Sequence, residues 1–243
     1  MKAYFNRYKN AIVALSGGAD SAAVLKLSFD FLGRQNVTAL TCSNSHIFNY
    51  EIENARKVAS VLGIKWLPFK TELPNQFIKN DEKRCFYCKE SIMRFIDSYR
   101  IENKIDVIFD GSTIDDLKEI RPGFEALKKF KVKSPLLDNG KNKYFVNEIC
   151  NFFEKKRIFF NNESCIATRI KEQNINKNLL ARIEKIEDEL RKDFKGIRVC
   201  FYPEYVRILF KESPELDING KKYIESIVSK FETRLPVKFK EDN

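Results

Sequence analysis

Ala11-Ile-Val-Ala-Leu-Ser-Gly-Gly-Ala-Asp-Ser21 is the stretch from which the architecture can be read. Five apolar residues at 11–15 are long enough for a buried strand. Ser16-Gly17-Gly18 then turns the chain. From Ser21 onward the sequence opens a helix, with Ala22, Leu25 and Phe29 on one face. A glycine turn between a strand and a helix start presents unpaired backbone N–H groups and the positive end of the helix dipole, about half a charge. That combination is an anion site, most often for phosphate. Gly17 and Gly18 let the backbone approach the anion, and Ser16 and Ser21 add hydroxyl donors. Gly-x-x-x-x-Gly-Lys-Ser/Thr and Gly-x-Gly-x-x-Gly are both absent here, so this is neither of those phosphate loops.

Working outward, the pattern alternates. Val37-Thr-Ala-Leu-Thr-Cys42 reads as a second strand. Ile52, Ala55, Val58, Ala59 and Leu62 follow a helical period that Gly63 stops. Lys65-Trp-Leu-Pro-Phe69 is a third strand, and its Pro68 marks an edge or a strand end. Asp81-Glu-Lys-Arg-Cys-Phe-Tyr-Cys-Lys89 reads as a polar loop carrying Cys-x-x-Cys. A helix then places Ile92, Phe95, Ile96 and Tyr99 inward, and Ile105-Asp-Val-Ile-Phe109 forms the next strand. Alternating strands and helices predict a doubly wound parallel sheet, which binds ligands at the carboxyl ends of its strands. Ser43 and the run Asp110-Gly111-Ser-Thr-Ile-Asp115-Asp116 fall at such ends. Asp115 and Asp116 there either hold Mg²⁺ or a ligand, or cap a local helix. Val146, Ile149, Cys150 and Phe153 align on a helix over 147–156, with Cys150 a packed core thiol. After Lys171 a helix, two strands around Pro203, another helix and a short terminal strand predict a small α+β domain, giving boundaries of 1–170 and 171–243.

Composition narrows the partners. The 243 residues carry 44 Lys+Arg against 34 Asp+Glu, a net charge of +10 that favours anionic ligands. No basic block stands out, which argues against nucleic acid. The opening residues contain no apolar core of a signal peptide, and no apolar run reaches spanning length, so a cytoplasmic protein is expected. A single histidine, His46, argues against a His-rich metal site or a His-based triad. The six cysteines suit metal binding, catalysis or burial in a reducing compartment. Cys165 lies in a polar loop beside Arg169, a setting for thiolate chemistry or metal ligation. By spacing alone, Cys85, Cys88 and Cys165 form either one metal centre or a redox pair plus an unrelated reactive thiol. A shared centre would be zinc with an open position, or a four-iron cluster with one iron lacking a protein ligand.

The glycine turn resembles the PP-loop of the adenylating pyrophosphatases. From it through Arg207 the chain resembles the LarE family, ATP-dependent sulfur transferases of nickel-pincer nucleotide biosynthesis. The landmarks are Ser16-Gly-Gly-Ala-Asp-Ser21, Arg84-Cys-Phe-Tyr-Cys-Lys89, Asp110-Gly-Ser-Thr-Ile-Asp-Asp-Leu117, Arg121-Pro-Gly123, Ser134-Pro-Leu-Leu137 and Cys165-Ile-Ala-Thr-Arg169. The resemblance implies a PP-loop (adenine nucleotide alpha hydrolase-like) sheet with a smaller α+β domain. It also implies adenylation of a carboxylate of pyridinium-3,5-biscarboxylic acid mononucleotide, then displacement of AMP by sulfur. ATP and Mg²⁺ are the implied cofactors, with Cys165, Asp20 and Ser16 in catalysis. Ala14, Gly17, Gly18, Ser21, Ser43, Gly111, Asp115, Asp116 and Arg169 line the nucleotide and cluster side. Arg198 and Arg207 grip the substrate phosphate, although Cys200 stands where a further arginine is expected. The three-cysteine form implies a [4Fe-4S] cluster on Cys85, Cys88 and Cys165. It takes up sulfide or a related sulfur donor, whereas the one-cysteine form sacrifices the sulfur of the residue matching Cys165. Homo-oligomerisation is also implied. The competing readings are a tRNA thiolase with a three-cysteine cluster, an ammonia-dependent synthetase, and a non-catalytic protein on a decayed loop. The first lacks an evident RNA module, the second leaves Cys85 and Cys88 without a role, and intact Asp20 and serines oppose the third.

Overall fold

A computed structural model of the chain describes residues 1–118, 122–161, 163–211 and 216–239. Arg121 of the Arg121-Pro-Gly123 landmark lies outside the described residues. The chain forms two compact units, Met1–Pro74 with Glu82–Glu163, and Asn75–Asp81 with Ser164–Asn243. The packing break comes before Ser164 rather than after Ile170, so Cys165, Thr168 and Arg169 belong with the C-terminal elements.

The first unit runs α1 (Lys2–Phe5), β1 (Ala11–Ala14), α2 (Ala19–Leu32), β2 (Val37–Cys42), α3 (Asn49–Leu62) and β3 (Lys65–Phe69). The short α4 (Asn75–Ile78) packs with the second unit, and the first resumes with α5 (Arg84–Glu102), β4 (Val107–Phe109), α6 (Gly123–Lys129), α7 (Pro135–Asp138) and α8 (Lys143–Glu154). Four parallel strands form one sheet in the order β3-β2-β1-β4, with Pro68 on the edge strand as expected. Alternation along β1 sends Ala11 and Val13 to one face and Ile12 to the other. The first face packs against α1, α2, α3 and α8, the second against α5 and α6. The sheet is therefore covered on both sides, which is why the central β1 and its neighbour β4 read as unbroken apolar runs.

Three local expectations change. The Cys-x-x-Cys lies on the opening turns of α5 rather than in a preceding loop, because no Gly or Pro interrupts residues 82–89 and Phe86 N–H already bonds Lys83 C=O at 2.9 Å. On that helix Met93 and Ile96 are buried, whereas Phe95 sits at the margin, stacked on Phe69 at 4.2 Å. Helix α8 begins at Lys143, not 147, because the Asn142 side chain caps it by accepting from Phe145 N–H at 3.2 Å.

The second unit adds α9 (Lys177–Leu190), β5 (Ile197–Phe201), β6 (Val206–Phe210), α10 (Ile218–Ser229) and β7 (Val237–Phe239). β5 and β6 are antiparallel, and β7 joins β6 in parallel. Leu179, Leu180, Ile183, Ile186 and Leu190 form the buried stripe of α9. Asn176 and Asp217 cap α9 and α10. The α4 segment is tied in by Asn80 Nδ2, which donates to the carbonyls of Ile170 and Gln173, and by Ile175 N–H on Ile78 C=O. Among the described residues no helix is long and apolar enough to cross a membrane.

The polar centre of this unit is an ion pair. Arg169 is 1% exposed and Glu187 0%. Arg169 Nε and Nη2 donate to the two Glu187 oxygens at 3.0 and 3.3 Å. Glu187 also accepts from Val199 N–H at 2.9 Å and from Arg191. Removing one partner strands the other in a low-dielectric interior, which costs about 3–5 kcal/mol. Glu187→Ala is expected to lower the urea-unfolding free energy of the full chain by about that much. A loss near zero would mean that the pair is solvated in solution.

Candidate functional site

The strand order turns back at β1, and the loops after β1 and β4 meet at the carboxyl edge of the sheet, where such folds bind ligands. Two glycines permit close backbone approach here, Gly111 at that meeting and Gly17 against the first turn of α3. Gly17 has φ +90°, and a methyl group there would lie 2.0 Å from the Glu51 carbonyl oxygen. A methyl group on Gly111 would lie 2.7 Å from Ser21 N and 2.9 Å from the Asp20 carbonyl carbon. Gly18 is the N-cap of α2 and carries no capping side chain. The two serine hydroxyls brace the loop itself. They lie 3.0 Å apart; Ser21 Oγ accepts from Ser16 N–H at 3.1 Å and donates to Gly18 C=O at 3.0 Å, and Gly18 N–H reaches Ser16 Oγ at 3.3 Å. Ala14, half-buried, ends β1. Ser43 is clamped to the end of β3, its N–H and Oγ both donating to Phe69 C=O at 2.7 and 3.0 Å.

The acidic residues separate by role. Asp116 is buried and caps its own turn, accepting from Thr113 N–H at 2.8 Å and Thr113 Oγ1 at 3.1 Å. Asp110 accepts from Ser112 and Ser134 hydroxyls, each at 2.6 Å. Asp115 stays at the surface. Its oxygens accept from Lys118 Nζ and Lys143 N–H, both at 2.8 Å, and these bonds, the lysine side chain first, hold its carboxyl below the usual range. Lys143 then reaches Asp20, Nζ to Oδ2 at 2.5 Å. Lys143 was not among the residues expected from sequence; the Asn142 cap four residues before Val146 was the signal that could have found it. It puts a cation beside the glycine loop that neither loop serine supplies.

All six cysteines are reduced thiols, and they fall into two groups. Cys42, Cys150 and Cys200 are buried. Burial pushes Cys42 up to about 11 and Cys150 up to about 12, the latter helped by the Asp20 charge; Cys200 is also raised by burial. Cys85 is exposed, and Cys88 and Cys165 are half-buried. Cys85 and Cys88, three residues apart, share one side of α5. Cys88 Sγ lies 3.2 Å from His46 Nε2, a contact across 42 residues that no local pattern announces. His46 is buried, which lowers its pKa to about 4 and leaves a neutral ring.

Within the second unit, Cys165 caps the 3-10 turn Ile166–Arg169, and its carbonyl accepts from Thr168 N–H at 3.0 Å and Oγ1 at 2.8 Å. Arg169 Nη1 donates to Ser164 C=O at 2.6 Å and to Ser164 Oγ at 2.9 Å. Arg169 therefore fixes the backbone that presents Cys165, through the ion pair described above. Arg198 lies on β5 and Arg207 on β6. The Arg207 guanidinium lies 5.1 and 5.3 Å from the Tyr202 and Tyr205 rings and donates to Tyr205 Oη at 3.0 Å. Cys200, opposite Arg207 in register, is core rather than ligand-facing. Among the described residues no three His, Cys, Asp or Glu side chains are gathered as a ready-made metal site.

The division of the thiols is directly measurable. At pH 8 a thiol raised to about 11 or 12 stays protonated and unreactive. Brief iodoacetamide treatment of metal-free protein should label Cys85 and Cys165 and spare Cys42, Cys150 and Cys200, as read by peptide mass spectrometry. Equal labelling of all six would contradict the packing.

A family model described as NAD synthase matches residues 2–86, the span holding the glycine loop. The chain is 30% identical over 228 residues to an uncharacterized protein of Methanocaldococcus jannaschii, covering 92% of this chain and 85% of that protein. It is 29% identical over 212 residues to an uncharacterized protein of a Synechocystis strain, covering 86% and 79%. It is 27% identical over 210 residues to the pyridinium-3,5-bisthiocarboxylic acid mononucleotide synthase of Lactiplantibacillus plantarum, covering 83% and 74%.

Proposed function

Because the chain belongs to the LarE family of PP-loop proteins, we propose that it is an ATP-dependent sulfur transferase. Its substrate in this reading is a carboxylate of pyridinium-3,5-biscarboxylic acid mononucleotide. The observation that carries the reading is the glycine turn at Gly17 and Gly18 between β1 and the N-terminus of α2, with the Lys143–Asp20 pair beside it.

A carboxylate resists substitution until one of its oxygens becomes a good leaving group. Adenylation does this: the carboxylate oxygen attacks the α-phosphorus and pyrophosphate departs. The amides around Gly17 and Gly18 and the α2 N-terminus would hold the departing negative charge. Lys143 Nζ, released from Asp20 by the incoming phosphates, would add a charge-assisted contact. Asp20 and Asp115 are the carboxylates that would hold Mg²⁺, whose hard oxygen preference they meet; bound, it would neutralise charge on the pyrophosphate. In the second step a sulfur nucleophile attacks the acyl carbon, the C–O bond to AMP breaks, and a thiocarboxylate remains. Arg198 and Arg207 would grip the substrate phosphate.

Cys85, Cys88 and Cys165 would hold a [4Fe-4S] cluster. Soft thiolate donors on reachable cysteines, set apart from three buried ones, fit such a group. Bound there, it would supply an iron without a protein ligand at which sulfide is offered. The sulfide or other sulfur donor would then be consumed instead of the Cys165 sulfur.

Protein prepared without oxygen is expected to contain about four irons and four sulfides per chain. It should release AMP and pyrophosphate only with the pyridinium substrate. Lys143→Ala should lower kcat/KM about tenfold to a hundredfold, the loss of a contact worth about 1.5–3 kcal/mol. Turnover that depends on tRNA, or that ends with Cys165 stripped of its sulfur in iron-free protein, would overturn the proposal.

A further inference from the structure

We propose that His46 is a positioning residue for Cys88, its Nε2 anchoring the sulfur and, once that sulfur is a metal-bound thiolate, donating an N–H hydrogen bond to it. The anchoring stands on its own; the donation rests on the cluster reading above.

His46 is the chain's single histidine, 2% exposed, with Nε2 3.2 Å from Cys88 Sγ. Its loop is held from two sides. Ser43 is clamped to Phe69 C=O, and Asn44 exchanges bonds with Thr71, Nδ2 to Oγ1 at 3.0 Å and Oδ1 from N–H at 2.9 Å. Ile47 N–H closes the turn on Asn44 C=O at 3.0 Å. The imidazole therefore comes from a braced loop at the end of β2 and meets the second turn of α5. Cys85, one turn earlier on the same helix, is exposed.

A neutral imidazole has one N–H and one lone pair. Against a thiol, Nε2 can serve as either. Against a thiolate it can only donate, because the sulfur has no proton left. Hydrogen bonds to ligating sulfurs tune both ligand orientation and the potential of a bound centre. The competing arrangement is direct ligation by Nε2, which would close a tetrahedral zinc site instead of supporting an open one.

With one histidine, a ¹⁵N spectrum of the full chain has one pair of imidazole nitrogens to follow. In metal-free protein, Cys88→Ala should move the Nε2 resonance and Cys85→Ala should leave it in place. After loading with zinc alone, Nε2 should show a directly bonded, slowly exchanging proton. An Nε2 resonance indifferent to Cys88→Ala would overturn the anchoring. An Nε2 that loses its proton and takes the shift of a metal-bound nitrogen would overturn the donation in favour of ligation. Protein that takes up neither zinc nor iron would sink the cluster reading and the donation together, while the metal-free comparison still decides the anchoring.

Discussion

Two backbone contacts too close for any Cβ govern the first unit. Glu51 C=O sits where a side chain on Gly17 would begin, and the start of α2 sits where a side chain on Gly111 would begin. Hydrogen at Gly17 lets the loop after β1 close on the first turn of α3, and hydrogen at Gly111 lets the loop after β4 close on the start of α2. Three charged residues gather beside it: Asp20 at the head of α2, Lys143 at the head of α8, and Asp115 holding Lys143 by its backbone. In the proposed reading, incoming phosphate oxygens would compete for the lysine and leave the carboxylate to a cation.

The second unit solves a different problem with a buried charge pair. Arg169 and Glu187 are costly to desolvate, and apolar residues of similar volume would serve stability as well or better. Their use lies in direction. Glu187 collects Arg169, Arg191 and Val199 N–H, and Arg169 passes the constraint to Ser164 and the turn that begins at Cys165. The backbone that carries a half-buried thiol is thus fixed from the core of the unit.

Much of the sheet was legible because period-2 and period-3.6 patterns survive without tertiary help. The apolar runs at 11–15 and 37–42, the edge proline at 68 and the stop at Gly63 all appear where the residues put them. The cysteine segment reads as a loop on polarity alone, yet Arg, Lys and Glu are good helix formers, and nothing between 82 and 89 breaks a helix. Arg169 reads in sequence as a ligand-facing cation, yet it is among the most buried side chains, since a lone arginine in a loop says nothing of the glutamate eighteen residues on that receives it. Lys143 and the His46–Cys88 pair depend on long-range approach, 123 and 42 residues apart, and no window of sequence contains both members.

The central claim is that ATP at the glycine turn is cut at its α-phosphate by a substrate carboxylate. Oxygen tracing tests it most directly. With both carboxylate oxygens of the pyridinium substrate labelled with ¹⁸O, a single turnover should deliver one labelled oxygen to AMP and leave the other on the thiocarboxylate. Unlabelled AMP, or ADP with phosphate in its place, would contradict the account.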